Sequence, residues 1–131
     1  MNKENVINLI KNEMPELEKL GQYLIDNDIC FYVDVKKQEA YGCEIEVRET
    51  INGVESVFSK EDKTIKISSF GHFDRAMYEV ETINHPDLGK FMISYIIDGY
   101  KDEIMIVNSV DLVIKFFDNM VKLKQESNLI K

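Results

Sequence analysis

The sequence predicts an α+β domain: an antiparallel sheet of six or seven strands, with N-terminal helices and a C-terminal amphipathic helix packed on it. Apolar residues recur at three- and four-residue steps near the N terminus and again after residue 109, which is the spacing of one helix face. Between these segments the apolar period changes to two, as half-buried strands require. An apolar stretch at residues 103–107 runs directly into the last helix, which indicates a packed core.

The N-terminal segment is predicted to form helices that a proline interrupts. Its apolar face consists of Val6, Ile10, Met14, Leu17, Leu20 and Leu24. Pro15 cannot donate a hydrogen bond to the preceding turn, and its ring clashes with that turn. We therefore expect a kink, or two short helices that meet near Asn12 to Pro15, with the helical segment ending at Asp26-Asn27-Asp28.

The middle of the chain is predicted to form the sheet. The candidate strands are 29–35, 41–48, 54–59, 64–70, 75–83, 90–97 and 103–107. Asn52-Gly53 and Asp98-Gly99 are dipeptides that favour the tight turns of β-hairpins. Ile65 and Ile67 are expected on the inward face of their strand. The last two strands are apolar on both faces, which predicts that both lie centrally in the sheet.

The final helix, over residues 110–125, is the clearest element of the sequence. Ser109 can cap its N terminus, and Asp111 in the first turn interacts favourably with the helix dipole. The buried stripe is predicted to comprise Val113, Phe116, Phe117, Met120 and Val121. No repeat, linker or low-complexity segment separates the predicted elements, so residues 1–131 are expected to form a single domain.

The formal net charge of −8 on 131 residues limits the classes of partner. Nucleic acid is disfavoured, because phosphate binding needs clustered Lys and Arg, and the arginines are only Arg48 and Arg75. A membrane-spanning segment is not predicted, since no apolar run approaches the ~20 residues that a bilayer requires. The start of the chain lacks the basic and apolar regions of a secretory signal, which predicts a cytoplasmic protein.

No catalytic residue, metal site or cofactor is predicted. His72 and His85 each begin a His-x-Asp triplet, but their loops flank one strand of ~8 residues at ~3.3 Å each, which keeps them ~25 Å apart. We therefore expect no transition metal that both histidines bind. Cys30 and Cys43 are interpreted as reduced structural thiols, which a disulfide would join only if their strands are neighbours in register. No nucleophile elbow, phosphate-binding glycine loop or dinucleotide fingerprint occurs.

Carboxylates alternate with apolar residues along several predicted strands. Two interpretations are open: a solvated sheet face, or a docking surface for a basic protein. On the second interpretation, the partner-binding residues are Glu44, Glu46, Glu55, Glu79, Glu81 and Tyr41. Further aromatic side chains that could anchor a partner are Tyr32, Tyr78 and Tyr100.

These observations favour a non-enzymatic, small acidic binding protein that neutralises or escorts a basic protein partner. In size, acidity and layout, with Lys, Asn and Ile common and helices flanking the sheet, the chain is similar to bacterial immunity proteins, phage-encoded inhibitors and secretion chaperones. The alternative is a small-ligand-binding or enzymatic domain with a pocket between the sheet and the C-terminal helix. The residues expected to line that pocket are Phe91, Tyr95, Phe116 and Met120. The sequence does not indicate the oligomeric state.

Overall fold

The computed structural model of the protein describes residues 3–35, 39–42, 63–70 and 76–126. Within these ranges the helices are α1 (Lys3–Glu13), α2 (Glu18–Asp26) and α3 (Val110–Glu126), and a 3₁₀ turn spans Pro15–Leu17. The strands are β1 (Phe31–Asp34), β2 (Glu39–Tyr41), β3 (Thr64–Ile67), β4 (Ala76–His85), β5 (Gly89–Ile97) and β6 (Tyr100–Val107). The predicted turn at Asn52-Gly53, the strand 54–59 and most of the strand 41–48 lie outside the described residues.

The strands form one antiparallel sheet in the order β2-β1-β3-β4-β5-β6. The strands from β3 to β6 are neighbours in chain order, whereas β1 lies between β2 and β3. Asp98 and Gly99 both have positive φ, 50° and 85°, which confirms the tight hairpin turn between β5 and β6. The predicted α+β fold, with an antiparallel sheet, N-terminal helices and a C-terminal helix, is confirmed.

The proline near the N terminus divides the helical segment as predicted. α1 ends at Glu13, Pro15 begins the 3₁₀ turn, and α2 continues from Glu18. The break lets α2 fold back against α1. A Cβ atom at Gly21 would lie 2.5 Å from Ile10 Cδ1, so the glycine permits this close approach.

The helices of the described chain cover one face of the sheet, because their buried side chains join a single hydrophobic core with alternate strand residues. The helical part of this core includes Val6, Ile10, Leu17, Leu20, Leu24, Val113 and Phe117. The strand part includes Phe31, Val33, Ile65, Ile67, Val80, Phe91 and Ile93, which the register places on one face. The intervening residues, such as Asp34, Lys66 and Glu79, lie on the opposite face.

α3 is capped and packed largely as predicted. Ser109 Oγ accepts a hydrogen bond from the Leu112 N–H at 3.2 Å. Phe117 is fully buried, and its ring centroid lies 5.9 Å from that of Tyr78 and 5.1 Å from that of Phe116. The aromatic contacts therefore anchor α3 on the sheet.

Two polar contacts join α2 to α3. The Tyr23 hydroxyl donates to Asp118 Oδ1 at 2.9 Å, and Lys19 Nζ lies 2.5 Å from Asp111 Oδ1. Desolvation by burial raises the pKa of Tyr23 well above its usual range, and the hydrogen bond to Asp118 and the charge of Asp118 raise it further. The folded protein therefore stabilises the neutral phenol.

The prediction that the last two strands both lie centrally is wrong for β6, which is an edge strand of the described sheet. The four apolar residues at 104–107 of β6 differ in exposure. Ile106 and Val107 are half-buried, whereas Ile104 and Met105 are exposed. The chain continues from β6 into α3 on the apolar face, and no described strand pairs with the outer side of β6.

Phe117→Ala is expected to lower the free energy of unfolding by roughly 3–5 kcal/mol, because it removes a fully buried ring between α3 and the sheet. Urea denaturation at neutral pH measures this change. Leu123→Ala on the same helix is the matched control, since Leu123 is exposed and its change should stay within about 0.5 kcal/mol. Equal losses in the two variants would contradict the packing of α3.

Tyr23→Phe is expected to destabilise the protein at neutral pH, because it removes the hydrogen bond to Asp118. The difference from the unsubstituted protein should narrow as the pH rises above about 10, the usual pKa of tyrosine. Because the folded-state pKa of Tyr23 is raised, its stabilising contribution is complete below that usual value and is lost as the pH rises toward the folded value. Denaturation series at neutral and alkaline pH measure the gap. If the difference in the free energy of unfolding between the two proteins stays constant or widens at alkaline pH, the Tyr23 phenol is not buried and neutral as described.

Candidate functional site

The outer edge of the sheet at β6 is exposed along most of its length. The first six residues of the strand, Tyr100 to Met105, are all exposed. Tyr100 is 81% exposed, and Ile104 and Met105 present apolar side chains in the same stretch. Since no strand of the described sheet pairs with the outer side of β6, its outward backbone N–H and C=O groups are open.

Carboxylates without partners accompany these exposed apolar side chains. Asp98 lies in the turn that leads into β6, and Asp102 and Glu103 lie within the strand. Among the described residues, none forms an ion pair or a hydrogen bond with these three carboxylates. We call Asp98, Tyr100, Asp102, Glu103 and Ile104 the acidic edge. It combines concentrated negative charge with exposed aromatic and aliphatic surface.

Lys101 lies in the middle of the acidic edge but does not neutralise it. Its Nζ lies 2.8 Å from Glu79 Oε1 and 3.1 Å from Glu81 Oε1. Both glutamates belong to β4, and β5 lies between β4 and β6, so the Lys101 side chain crosses a whole strand. The positive charge of β6 is therefore directed across the sheet, and the carboxylates of the acidic edge face solvent.

Lys101 belongs to a network of charged side chains on the face of the sheet that the described helices leave uncovered. Lys66 pairs with Asp34 and lies 3.8 Å from Glu79 Oε2, so Glu79 contacts both lysines. Glu79 is 7% exposed, and a carboxylate so buried requires charged or hydrogen-bonded partners. The carboxylates of Asp34, Glu79 and Glu81 share two ammonium groups, which leaves the network with one excess negative charge.

The carboxylates keep the Lys101 ammonium in its charged form. Desolvation by burial would by itself lower the pKa of Lys101. Hydrogen bonds to Glu79 and Glu81, together with the negative charges of these two residues, outweigh that effect and raise the pKa of Lys101. The Lys101 side chain that crosses β5 therefore carries its positive charge at neutral pH.

Two buried hydroxyl groups on the same face have no hydrogen-bond partner within the described part of the chain. Ser94 on β5 is 1% exposed and lies opposite Glu79 in the β4–β5 register. Thr64 on β3 is 2% exposed and lies opposite Glu81 in the β3–β4 register. Each hydroxyl therefore adjoins a carboxylate that Lys101 contacts. Buried hydroxyls of this kind are uncommon, because the lost hydration costs about 1–3 kcal/mol.

A register shift interrupts the pairing of β5 with β6. Ile93 lies opposite Met105 and Ser94 lies opposite Glu103, so Ile104 has no opposite residue and marks a β-bulge. A bulge and charged side chains both discourage unselective pairing of an edge strand. Before the bulge, regular pairing of β6 covers only residues 100–103. Another strand could therefore join β6 without interruption only along this segment.

The predicted partner-binding residues are not brought together in the described part of the chain. Three of them lie outside the described residues: Glu44, Glu46 and Glu55. Glu79 and Glu81 lie on one face, where both contact Lys101. Tyr41 is half-buried on β2, at the opposite edge of the sheet, with its ring centroid 6.0 Å from that of Phe31. A binding role for these residues stays a prediction.

The pocket predicted between the sheet and α3 also stays a prediction. Its four residues were expected to be Phe91, Tyr95, Phe116 and Met120. The rings of Tyr95 and Phe116 lie 4.7 Å and 5.7 Å from that of Tyr78, so aromatic rings occupy much of this space. A cleft of about 320 Å³ lies elsewhere, between the segment around Pro15 and the end of β4 at Asn84.

The expectations that no metal joins His72 to His85 and that Cys30 and Cys43 are reduced stay predictions, because His72 and Cys43 lie outside the described residues. His85 Nδ1 accepts hydrogen bonds from the backbone N–H groups of Asp87 and Leu88, both at 3.1 Å, so its imidazole stabilises the β4–β5 turn. No group of three or more His, Cys, Asp or Glu residues in the described ranges is placed to hold a metal ion.

The acidic edge was not predicted as a site, although Tyr100 was among the aromatic side chains considered as anchors. The available signal was the charged run Lys101-Asp102-Glu103 at the start of β6. Charged residues, and lysine above all, are frequent on edge strands, where they discourage aggregation. The apolar run from Ile104 to Val107 instead predicts a central strand, because buried central strands have the same pattern.

Comparison with known proteins assigns no function. No protein-family model, curated protein or solved structure matches this chain. In the part of the chain that the structure describes, no helix has the length and apolar character to cross a membrane. The candidate site therefore rests on the geometry and charge of its own residues.

Ser94→Ala is expected to leave the free energy of unfolding unchanged or to raise it by up to about 1 kcal/mol, because it removes a buried hydroxyl without a hydrogen-bond partner among the described residues. Ser109→Ala is the matched control. It removes the same atom from a hydroxyl that caps α3, and it should cost about 0.5–2 kcal/mol. Urea denaturation compares the two variants. A loss at position 94 as large as that at position 109 would mean that the Ser94 hydroxyl is satisfied in the folded protein.

Proposed function

We propose that this chain is a non-enzymatic binding protein that docks a basic protein partner on its acidic edge and thereby neutralises or escorts that partner in the cytoplasm. The observation that supports the proposal most directly is the composition of one exposed stretch. Three carboxylates without partners among the described residues accompany an 81% exposed tyrosine and an exposed isoleucine along β6 and its preceding turn.

The charge of the acidic edge differs from that of many carboxylates elsewhere in the described chain, which have cationic partners. Such pairs are Lys63–Glu13, Lys90–Glu16, Lys11–Glu18, Lys19–Asp111 and Lys122–Asp118. Asp98, Asp102 and Glu103 lie within one short stretch and have no cationic partner among the described residues, so they create a local negative potential that attracts a basic surface. This attraction speeds association and weakens as salt screens it.

The apolar side chains of the acidic edge supply the contact that charge alone does not. Tyrosines are frequent among the residues that dominate binding energy at protein interfaces, because they bury a large ring and keep a polar end. Tyr100 and Ile104 offer such surface. The bulge at Ile104 restricts backbone pairing with a partner strand, so side-chain contacts carry most of the proposed interface.

A triple variant of the acidic edge, Asp98→Asn, Asp102→Asn and Glu103→Gln, is expected to lose the partner. Affinity capture from the native cells, with identification by mass spectrometry, should recover a basic protein with the unsubstituted chain. Retention by the triple variant should fall by about tenfold or more. With the purified partner, the association rate of the unsubstituted chain should fall markedly from low to high salt.

The matched control is the triple variant Asp28→Asn, Asp87→Asn and Glu126→Gln. It changes the net charge by the same amount at exposed carboxylates that form no contact with other side chains among the described residues. This control should retain the partner. Equal loss in both triple variants would mean that only the overall charge matters, and recovery of no basic protein would count against the proposed function itself.

A further inference from the structure

Lys101 lies on β6 and supplies a positive charge to two carboxylates on β4, two strands away. Its side chain crosses β5 to reach Glu79 and Glu81 on β4. The β4–β5 register places Ser94 opposite Glu79, so the crossing runs beside Ser94. We call Glu79, Glu81, Ser94 and Thr64 the carboxylate seat, since the two hydroxyls adjoin the two carboxylates.

The ammonium group of Lys101 leaves the carboxylate seat incompletely satisfied. An ammonium has three N–H donors, and contacts to Glu79 and Glu81 use two of them. The hydroxyls of Ser94 and Thr64 have no hydrogen-bond partner, either in Lys101 or in the other described residues. The third donor of the ammonium bonds to neither hydroxyl, so the unsatisfied hydroxyls beside the two carboxylates point to a ligand whose donors are more numerous and spread over a wider group.

A guanidinium group meets this requirement. Its five N–H donors lie in a rigid planar fork that can bind a carboxylate through two parallel hydrogen bonds. The remaining donors are available to a second carboxylate and to a hydroxyl oxygen. Exchange of one cation for another also keeps the charge of the network unchanged, so the buried carboxylate of Glu79 stays paired when Lys101 leaves.

The carboxylate seat is reached from the acidic edge. The Lys101 side chain is 38% exposed, and it starts from the exposed half of β6. Glu103 lies two residues further along the strand and has no partner among the described residues, so it offers a carboxylate to the departing Lys101 ammonium. A partner bound at the acidic edge is therefore next to Lys101, the side chain that occupies the seat.

We propose that the carboxylate seat receives an arginine side chain of the basic partner, and that Lys101 fills the seat until the partner docks. This inference rests on the proposed function. It specifies arginine as the residue type on the partner that the carboxylate seat recognises. A partner lysine offers the same three donors as Lys101 and gains no hydrogen bond over it. The seat therefore favours partners that present arginine.

Removal of Lys101 tests the seat with a small-molecule probe. Lys101→Thr keeps a strand-forming residue but vacates the seat, and it should lower the melting temperature by on the order of 5 °C. Agmatine, which carries a guanidinium on a short chain, should then raise the melting temperature of Lys101→Thr in a concentration-dependent manner. It should raise the melting temperature of the unsubstituted protein much less, because Lys101 is tethered beside the seat and competes for it. Putrescine, which has the same double positive charge as agmatine but only ammonium groups, should restore much less.

Two further variants separate the seat from general charge effects. Lys115→Ala removes the same charge from an exposed position of α3 that has no ion pair among the described residues. Agmatine should raise the melting temperature of this variant no more than that of the unsubstituted protein. Addition of Ser94→Ala to Lys101→Thr should reduce the agmatine shift, although it removes no charge. Equal agmatine shifts in Lys115→Ala and Lys101→Thr would overturn the inference. Equal restoration by agmatine and putrescine would overturn the assignment to guanidinium.

The experiment stays decisive if Lys101→Thr does not fold. Refolding on addition of agmatine, followed by circular dichroism, then replaces the melting shift, and an absence of refolding overturns the inference. Asp98, Asp102 and Glu103 are intact in all of these variants. A failed restoration therefore leaves the proposed function standing, whereas that function fails only if the triple variant of the acidic edge keeps its partner.

Discussion

The packing of every described helix on one face of the sheet is the constraint from which the other features follow. α1, α2 and α3 bury apolar side chains against alternate residues of the strands, so the residues between them lie on the other face. Glu79 and Ser94 are nevertheless buried there. A carboxylate buried outside the apolar core needs cations from the sheet itself, and Lys66 and Lys101 supply them.

The ion pairs of Lys101 with Glu79 and Glu81 determine the net charge of the acidic edge. Its ammonium lies over β4, so no cation of β6 neutralises Asp98, Asp102 and Glu103. The proposed docking surface and the proposed arginine site thus follow from the position of one lysine side chain. In the free protein, the contacts of Lys101 with Glu79 and Glu81 keep its ammonium away from Glu103 on its own strand.

β6 combines features that protect an edge strand with features that suit it to selective binding. Its charged residues and the bulge at Ile104 oppose pairing with arbitrary strands. The exposed side chains of Tyr100 and Ile104 remain available to a partner of matching shape and charge. Under the proposed function, such an edge avoids aggregation and binds its partner selectively, because the selectivity lies in side chains and not in the open backbone.

The sequence by itself determined the elements and their faces, because helix and strand periods, Pro15 and the Ser109 cap act on near neighbours along the chain. It placed Glu79 and Glu81 on one face, since both lie on one strand at a spacing of two. Only the tertiary structure decided that β6 lies at an edge, that Lys101 reaches across β5, and that Ser94 is buried without a partner among the described residues. Each of these depends on strand order and on residues distant in sequence, which local patterns do not encode.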